Sequence, residues 1–439
     1  MRKGVFAIAL LCLAATLLPA CQPTPEEEIV VQQEEAADVP AGPVLAELLP
    51  LPERVDRPEQ TLGVGGVACA AEVAAPEAGA CPVVEVRQAP FTAERLRALA
   101  ETFCPGATLY HSWEPTQEEL LEQRAALLEY GDDSEDAQIK LKWLDETIST
   151  APLTVERHPF SWDEVPEETF LSVRALDGAD QVVCAFQFGA QTFVYFRNPE
   201  RIISPQTLFT EQEFARFPEP AITEDTALAE AMEVLPLLGL SPEDMQVVKA
   251  DGFVARYSTI PVGSGYEITF APAYAKLPGI WAESYSLNDA VPPSIAAPWP
   301  AESLRIYVDV DGVAQVSWKN PSVFGAVLEQ DAALLPFEQM LERAEQQLLY
   351  QHAQIPGLET DGTDGVLQRV EVYRISLVRG CIQLRDERDV GQSVPLWRFD
   401  YVYRYTDNAP LEMALYLDAR TGAYVEPRMD METLMQLTS

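Results

Sequence analysis

The C-terminal part of the chain carries the pattern that most constrains the fold, an apolar helical stripe followed by strictly alternating strands. Between Phe337 and Leu348 the apolar residues recur at helical spacing, which predicts an amphipathic helix. One face of a later predicted strand is wholly aromatic: Trp397, Phe399, Tyr401, Tyr403 and Tyr405. A strand with one apolar face needs a cover, and the helix supplies it. This segment is therefore predicted to fold as a helix on an antiparallel sheet.

A similar order of segments occurs earlier in the chain, which indicates an internal repeat. The first amphipathic helix follows Thr223 and carries Leu228, Met232 and Leu235 on one face. Each unit then closes with a strand, a polar turn containing glycine and another strand, which is typical of a β-hairpin. The two closing segments are Ile306–Val313 and Leu415–Ala423.

The sequence before the repeat, residues 83–222, is predicted to form helices first and strands afterwards. Thr92 is a predicted N-cap for a helix that ends near Cys104, and Thr116 with Glu119 predicts a capping box. A further helix is expected to end near Ser149, which makes an antiparallel helical hairpin. Apolar, β-rich sequence then follows and predicts two strands.

The N-terminal sequence predicts export and a lipid anchor. Arg2 and Lys3 precede an uncharged apolar run from Val5 to Leu18, the organisation of a signal peptide. The run ends in Leu-Pro-Ala-Cys at positions 18–21, which resembles the lipobox of bacterial lipoproteins. That resemblance implies that Cys21 is acylated and holds the protein to the lipid bilayer on its extracytoplasmic face. An ordinary secretory signal cut near Ala20 is the alternative.

Charge excludes some partners and defines a tether. The chain has 69 acidic against 30 basic residues, a formal net charge of −39. Such an excess argues against nucleic acid, and against docking on anionic lipid through a basic patch. Residues 22–60 are rich in Pro, Glu and Gln, so residues 21–82 are predicted to form an acidic tether without a core.

The cysteines predict one local disulfide. Five remain besides Cys12 in the leader and the anchoring Cys21, and an odd number outside the cell leaves at least one thiol unpaired or bonded to another chain. Cys69 and Cys81 flank an alanine-rich segment and are the predicted pair.

No motif in the sequence predicts catalysis, a metal site or a cofactor. His111, His158 and His352 belong to no recognisable metal or catalytic motif. Asp309 and Asp311 match part of a calcium loop, although an Asp-Gly hairpin turn explains them better, and the Gly-rich segment 361–365 is interpreted as a connector. The aromatic ladder is either a candidate ligand face, comprising Trp397, Phe399, Tyr401 and Tyr403, or a sheet face packed under a helix.

The C-terminal repeat resembles a known kind of module. Its last unit ends in Tyr-Leu-Asp-Ala-Arg-Thr-Gly at positions 416–422, which is similar to the ending of PepSY modules. Two such units on an exported chain also resemble extracytoplasmic regulators of the YycH/YycI type and, more broadly, an uncharacterised family of lipoproteins from Gram-positive gut bacteria. The resemblance implies a binding or regulatory role without catalysis.

Together these features predict an α+β protein. Its expected segments are a lipoprotein signal (1–20), a tether (21–82), an N-terminal domain with the helical hairpin (83–222) and two PepSY-like units (223–330 and 331–439). The expected function is that of a membrane-anchored lipoprotein capturing a peptide, protein or other envelope component. The alternatives are a carboxylate-dependent hydrolase of envelope polymer or peptide, and a passive structural lipoprotein.

Overall fold

Most of the chain folds as β-structure. The computed structural model describes residues 42–62, 65–131, 135–167, 169–178, 181–205, 219–257, 259–280, 302–353, 367–384, 387–405 and 411–425. Of these, 46% lie in strands and 25% in helices, and the strands form two sheets of eight and nine strands. The α+β prediction of a helical hairpin region followed by two small helix-on-sheet units is therefore wrong. Strands from different predicted segments join the same sheets, which alternation along one strand does not reveal.

The helices begin where the capping residues predict. In the described residues there are six: α1 (Leu45–Leu48), α2 (Ala93–Phe103), α3 (Gln117–Tyr130), α4 (Glu135–Ile148), α5 (Glu224–Leu237) and α6 (Phe337–Ala353). The Thr92 hydroxyl accepts a hydrogen bond from the amide of Arg95, and Thr116 with Glu119 forms the predicted capping box. These two predicted helix starts are confirmed.

The nine-stranded sheet is antiparallel throughout, in the order β4-β5-β6-β7-β12-β11-β10-β9-β8. Its strands are β4 (Thr108–His111), β5 (Leu171–Leu176), β6 (Val182–Gly189), β7 (Thr192–Phe196), β8 (Arg201–Pro205), β9 (Met245–Tyr257), β10 (Ile260–Pro272), β11 (Ser303–Asp309) and β12 (Gly312–Lys319). Pairing of β7 with β12 joins the predicted N-terminal domain to the first repeat unit.

The eight-stranded sheet combines segments from both ends of the described chain. Its strands are β1 (Arg54–Leu62), β2 (Gly65–Ala74), β3 (Val83–Gln88), β13 (Ser322–Glu329), β14 (Leu367–Leu384), β15 (Glu387–Tyr405), β16 (Leu411–Asp418) and β17 (Tyr424–Val425). The order is β1-β2-β14-β15-β16-β17, while β3 pairs with both β15 and β13. Pairing of β2 with β14 is parallel.

The predicted tether is wrong for residues 54–62 and 65–74, because these residues form β1 and β2. Val67, Cys69, Ala71 and Val73 are buried at every second position. Such small side chains contribute little apolar area each, so their alternation alone is a weak signal for a strand. Burial becomes favourable only because β14 and α6 supply the neighbouring surfaces.

Helices cover one face of each sheet. The predicted stripe of α6 is buried against the eight-stranded sheet, with Phe337, Met340, Leu341, Ala344 and Leu348 all in its core. The core of the nine-stranded sheet includes residues of α2 and α5, and α3 with α4 has a small core of its own. No helix in the described ranges is long and apolar enough to cross a membrane.

The two sheets meet where the chain passes from β12 to β13. Asn320, in the connection, adopts φ 49°, and its amide donates to the carbonyl of Gln191. Nearby, the backbone of Arg379 in β14 bonds on both sides: its amide donates to the Pro278 carbonyl, and its carbonyl accepts from the Ile280 amide. Because Asn320 lies two residues before β13, that strand starts at the junction between the sheets.

Candidate functional site

The strand β13 forms an open edge of the eight-stranded sheet. Along one side it pairs with β3, and along the other it has no partner strand in the described part of the chain. Residues 322–328 include no charged residue and no proline. Val323 is 52% exposed, Val327 37% and Leu328 48%. An apolar edge strand of this kind is a template for pairing with another extended chain.

The local sequence explains why this segment is extended and why only its first part is anchored. Val323 and Val327 are β-branched, and the aromatic Phe324 lies between them, a composition that favours strands. Phe324 turns inward and is half-buried, whereas every residue from Gly325 to Glu329 is exposed. Pairing with β3 shifts in register after Phe324 and again after Val327.

A small cavity lies beneath the first residues of β13, at the junction between the sheets. Its volume of about 40 Å³ has room for a few water molecules. It is lined by Pro272, Gly279, Ile280, Glu302, Ser322, Phe324, Arg379, Gly380, Cys381 and Ser393. The lining therefore draws on both sheets and on β13 itself.

Arg379 is the buried cation of this junction and is 2% exposed. Its Nε donates to the Ser393 hydroxyl at 2.5 Å, and its terminal nitrogens donate to the carbonyls of Ser393 and Pro82 at 3.2 and 3.3 Å. The guanidinium also lies 4.7 Å from the ring centre of Tyr274 and 5.4 Å from that of Phe324. Burial lowers the pKa of Arg379 to about 10. Neutral acceptors and aromatic rings thus stabilise this charge, and β13 contributes one of the rings.

Glu302 is the matching buried anion, 7% exposed. It accepts from the Trp318 indole at 2.7 Å, and from the amide and hydroxyl of Ser322 at 3.2 and 2.9 Å. Burial is the largest influence on its pKa and raises it, while these hydrogen bonds oppose the rise. Arg95 lies 4.5 Å from the ring centre of Trp318 and adds a nearby positive charge. Glu302 therefore fixes the start of β13.

The geometry suits binding at an edge better than chemistry in the cavity. Of the described residues that line it, Glu302 is the one carboxylate, so the paired carboxylates expected of a hydrolase do not meet here. The thiol of Cys381 has a pKa raised to about 11, chiefly by burial, which disfavours the nucleophilic thiolate. The junction holds β13 in place and leaves its outer residues exposed.

The predicted ligand face is wrong. Trp397, Phe399 and Tyr401 are 0%, 1% and 4% exposed, and Tyr403 packs against the same core. The ring centres of Phe337 and Trp397 lie 5.1 Å apart, because α6 covers this face of β15. The aromatic ladder is therefore core rather than a stacking surface.

The predicted disulfide between Cys69 and Cys81 is not formed in the structure, where both are buried thiols. Cys69 lies on β2, and Cys81 precedes β3, where its amide donates to Asp331 at 3.0 Å. The predicted lipidation site, Cys21, lies outside the described residues.

The other candidate residues occupy structural positions where they are described. Asp309 pairs with Arg197 at 2.6 Å and accepts from the amide of Asp311 at 2.9 Å, which supports the hairpin-turn interpretation over a calcium loop. The amide of His111 bonds to the His158 carbonyl, and its ring contacts Glu164 at 2.6 Å. No group of three or more metal-ligating side chains is found among the described residues. The side chain of His352 and the segment 361–365 lie outside them.

Neither the open edge of β13 nor the buried Arg379 was predicted from the sequence. Sequence analysis assigned β13 to the end of the first repeat unit and did not single out Arg379. The available signal was the uncharged, apolar run at 322–328, which has neither lysine nor proline to protect an edge. That signal has meaning only once the strand is known to lack a second neighbour.

Comparisons with known proteins give no name for this site. No protein-family model matches the chain, and no curated protein matches it. Among solved structures it is similar to an uncharacterised protein from Eubacterium rectale ATCC 33656, with 12% sequence identity and a TM-score of 0.46. That match covers 86% of this chain and 94% of the other.

Proposed function

We propose that this protein is a lipid-anchored, extracytoplasmic binding protein that captures an extended peptide segment on the open edge of β13, without catalysis. The observation that carries the proposal is the uncharged edge strand, which exposes Val323, Val327 and Leu328. Main-chain pairing to such an edge supplies affinity, and alternate side chains supply specificity. The ligand class is therefore an extended peptide with apolar side chains.

The buried junction supports this use of the edge. Binding to a strand that is already ordered avoids the entropy of ordering it on contact. Glu302 accepts hydrogen bonds from Ser322, and the ring of Phe324 contacts Arg379 and Tyr274. The exposed residues of β13 therefore extend from a fixed start.

The proposed location depends on the N-terminal sequence. The apolar run from Val5 to Leu18 and the lipobox-like residues up to Cys21 support export and acylation. The substitution Cys21→Ala should release the protein from membranes, because the attached acyl chains are removed. Retention on membranes after that change would contradict the anchor.

Peptide selection on the purified protein tests the binding edge. A library of short random peptides is selected on the full chain, and the Kd of each selected peptide is then measured. We expect Val327→Lys to weaken binding at least about tenfold, equivalent to about 1.4 kcal/mol, because lysine blocks strand addition. Methylation of the selected peptide's backbone amides should abolish binding as well, since it removes main-chain donors.

A matched variant controls for the change of charge. Val262 is 41% exposed and lies on β10 of the nine-stranded sheet, a strand that does not pair with β13. Val262→Lys should therefore leave the Kd unchanged. Selected peptides that bind Val327→Lys as well as the unchanged protein, or a library that yields none, would refute peptide capture and favour the passive structural alternative.

A further inference from the structure

Two cysteine thiols meet where α2 approaches β6. Cys104 is the C-cap of α2, and Cys184 lies within β6. Both residues line the same surface cavity, and a side-chain hydrogen bond with Cys104 contributes to the raised pKa of Cys184. About 80 residues separate them in sequence, so only tertiary folding brings them together.

The surrounding structure holds the two thiols in place. Gly106 adopts φ 73°, which turns the chain after α2, and the Ala107 amide donates to the Cys104 carbonyl at 3.4 Å. Next to Cys104, the ring of Phe103 stacks on Tyr195 with centres 4.7 Å apart. Tyr195 lies on β7, which pairs with β6. The helix end is therefore packed against the strand pair that carries Cys184.

The pair is accessible from one side. Both cysteines line a surface cavity of about 440 Å³. Cys104 is half-buried and Cys184 only 2% exposed, so an external reagent reaches Cys104 first. Burial and the neighbouring Cys104 raise the pKa of Cys184, which keeps it a thiol until it is attacked or oxidised.

We propose that Cys104 and Cys184 form an intramolecular disulfide that ties the C-terminal end of α2 to the nine-stranded sheet. A disulfide requires roughly 4.4–6.8 Å between Cα atoms, and two cysteines that line one cavity are placed to reach that separation. The inference goes beyond peptide capture and draws on the proposed function only for its oxidising, extracytoplasmic location.

The reaction is an exchange with a low-molecular-weight disulfide such as cystine. The Cys104 thiolate attacks one cystine sulfur, forms a mixed disulfide and releases one cysteine. The Cys184 thiol then loses its proton and attacks the Cys104 sulfur, which releases the second cysteine. Two electrons pass from the protein thiols to cystine, and the two released cysteines take up the two protons.

The remaining described cysteines are separate from this pair. Cys69 and Cys381 lie on strands of the eight-stranded sheet, and Cys81 directly precedes its strand β3. None of the three lines the cavity that Cys104 and Cys184 share. They should remain thiols while Cys104 and Cys184 react, which makes the pairing specific.

Mass spectrometry of the purified full chain tests the pairing. Protein incubated with cystine is alkylated in denaturant and digested without reduction. We expect a peptide pair joined through Cys104 and Cys184, and a Tm about 5 °C higher than that of the reduced protein. Cys104→Ser and Cys184→Ser should each remove the joined peptide pair and the rise in Tm. Cys69→Ser, in the other sheet, should preserve the joined peptide pair and the rise in Tm.

Other outcomes would distinguish a failure of the Cys104–Cys184 disulfide from a failure of the proposed extracytoplasmic location. Oxidised protein in which Cys104 carries a cysteine adduct while Cys184 stays free, or in which both stay free, would overturn the pairing. A cross-link that forms in the purified protein but is absent from protein isolated from membranes would support the pairing and contradict the extracytoplasmic location. Loss of peptide binding to β13 has no bearing on either result.

Discussion

Two strands of the eight-stranded sheet, β1 and β13, each have a partner on one side only among the described residues. Five residues of β1 protect its edge, four by their charge and Pro58 because it has no amide hydrogen to donate: Arg54, Asp56, Arg57, Pro58 and Glu59. In β13 the first charged residue is the last one, Glu329. Both strands have irregular register, so irregularity is not the difference. The comparison shows one protected edge and one open edge within a single sheet.

The two edges are also anchored differently. Arg54 of β1 forms an exposed ion pair with Asp56 of the same strand, and Arg57 pairs with the exposed Glu338 and the buried Glu345 of α6. In contrast, β13 is held at its start by the buried Glu302 and by the contact of Phe324 with Arg379. Buried polar contacts are costly to break, whereas surface ion pairs contribute little. Order at β13 therefore comes from the junction rather than from the exposed strand.

Removal of the Arg379 side chain should cause the largest loss of stability and should loosen β13 but not β1. Arg379→Ala leaves the Ser393 and Pro82 carbonyls without their donor and opens space beside Phe324. We expect a loss of about 3 kcal/mol in the free energy of unfolding, measured by urea denaturation. Hydrogen exchange should rise in β13 but not in β1.

Arg374→Ala is the matched control, because Arg374 is an exposed arginine on the same strand. Its effect should stay within about 0.5 kcal/mol. Equal effects of the two substitutions would show that the junction does not anchor β13.

The second prediction concerns the pH dependence set by Glu302. Burial raises its pKa in the folded protein above that of the unfolded chain. The folded state therefore holds a proton that the unfolded chain has released, and stability falls as pH rises from the unfolded pKa through the folded one. Glu302→Gln should remove this contribution, a change of up to about 1.4 kcal/mol per pH unit in the slope.

Urea denaturation across roughly pH 4–8, a range that begins near the ordinary carboxyl pKa, measures that slope. Glu329→Gln, at the exposed end of β13, is the control and should keep the slope of the unchanged protein. A slope that Glu302→Gln does not alter would show that this carboxylate contributes nothing to the pH dependence of folding.

The smallest effect is expected at the protected edge. Arg54→Ala removes an exposed ion pair with Asp56, so the free energy of unfolding should stay close to that of the unchanged protein. Added salt should reduce the difference further, because it screens exposed charges. A loss as large as that of Arg379→Ala, unchanged by salt, would remove the distinction between the two edges.

Part of the fold was predictable from local signals. The caps at Thr92 and Thr116 and the buried stripe of α6 depend on neighbours within a few residues, so spacing alone reveals them. Strand partners depend on contacts between distant segments, and the strands β1 and β2 were therefore missed within the predicted tether. The same limit applies to the site, because β13 is an edge only by virtue of its position in the sheet.

By itself, the sequence determined the helix starts, the one-sided character of β15 and the cover that α6 provides, since each follows from periodicity along one segment. Tertiary structure alone decided which strand edges stayed open, which charges became buried and which thiols met. Cys104 and Cys184 line one cavity, and Arg379 lies beneath Phe324. Such contacts arise between segments far apart in the chain, and no local pattern encodes them.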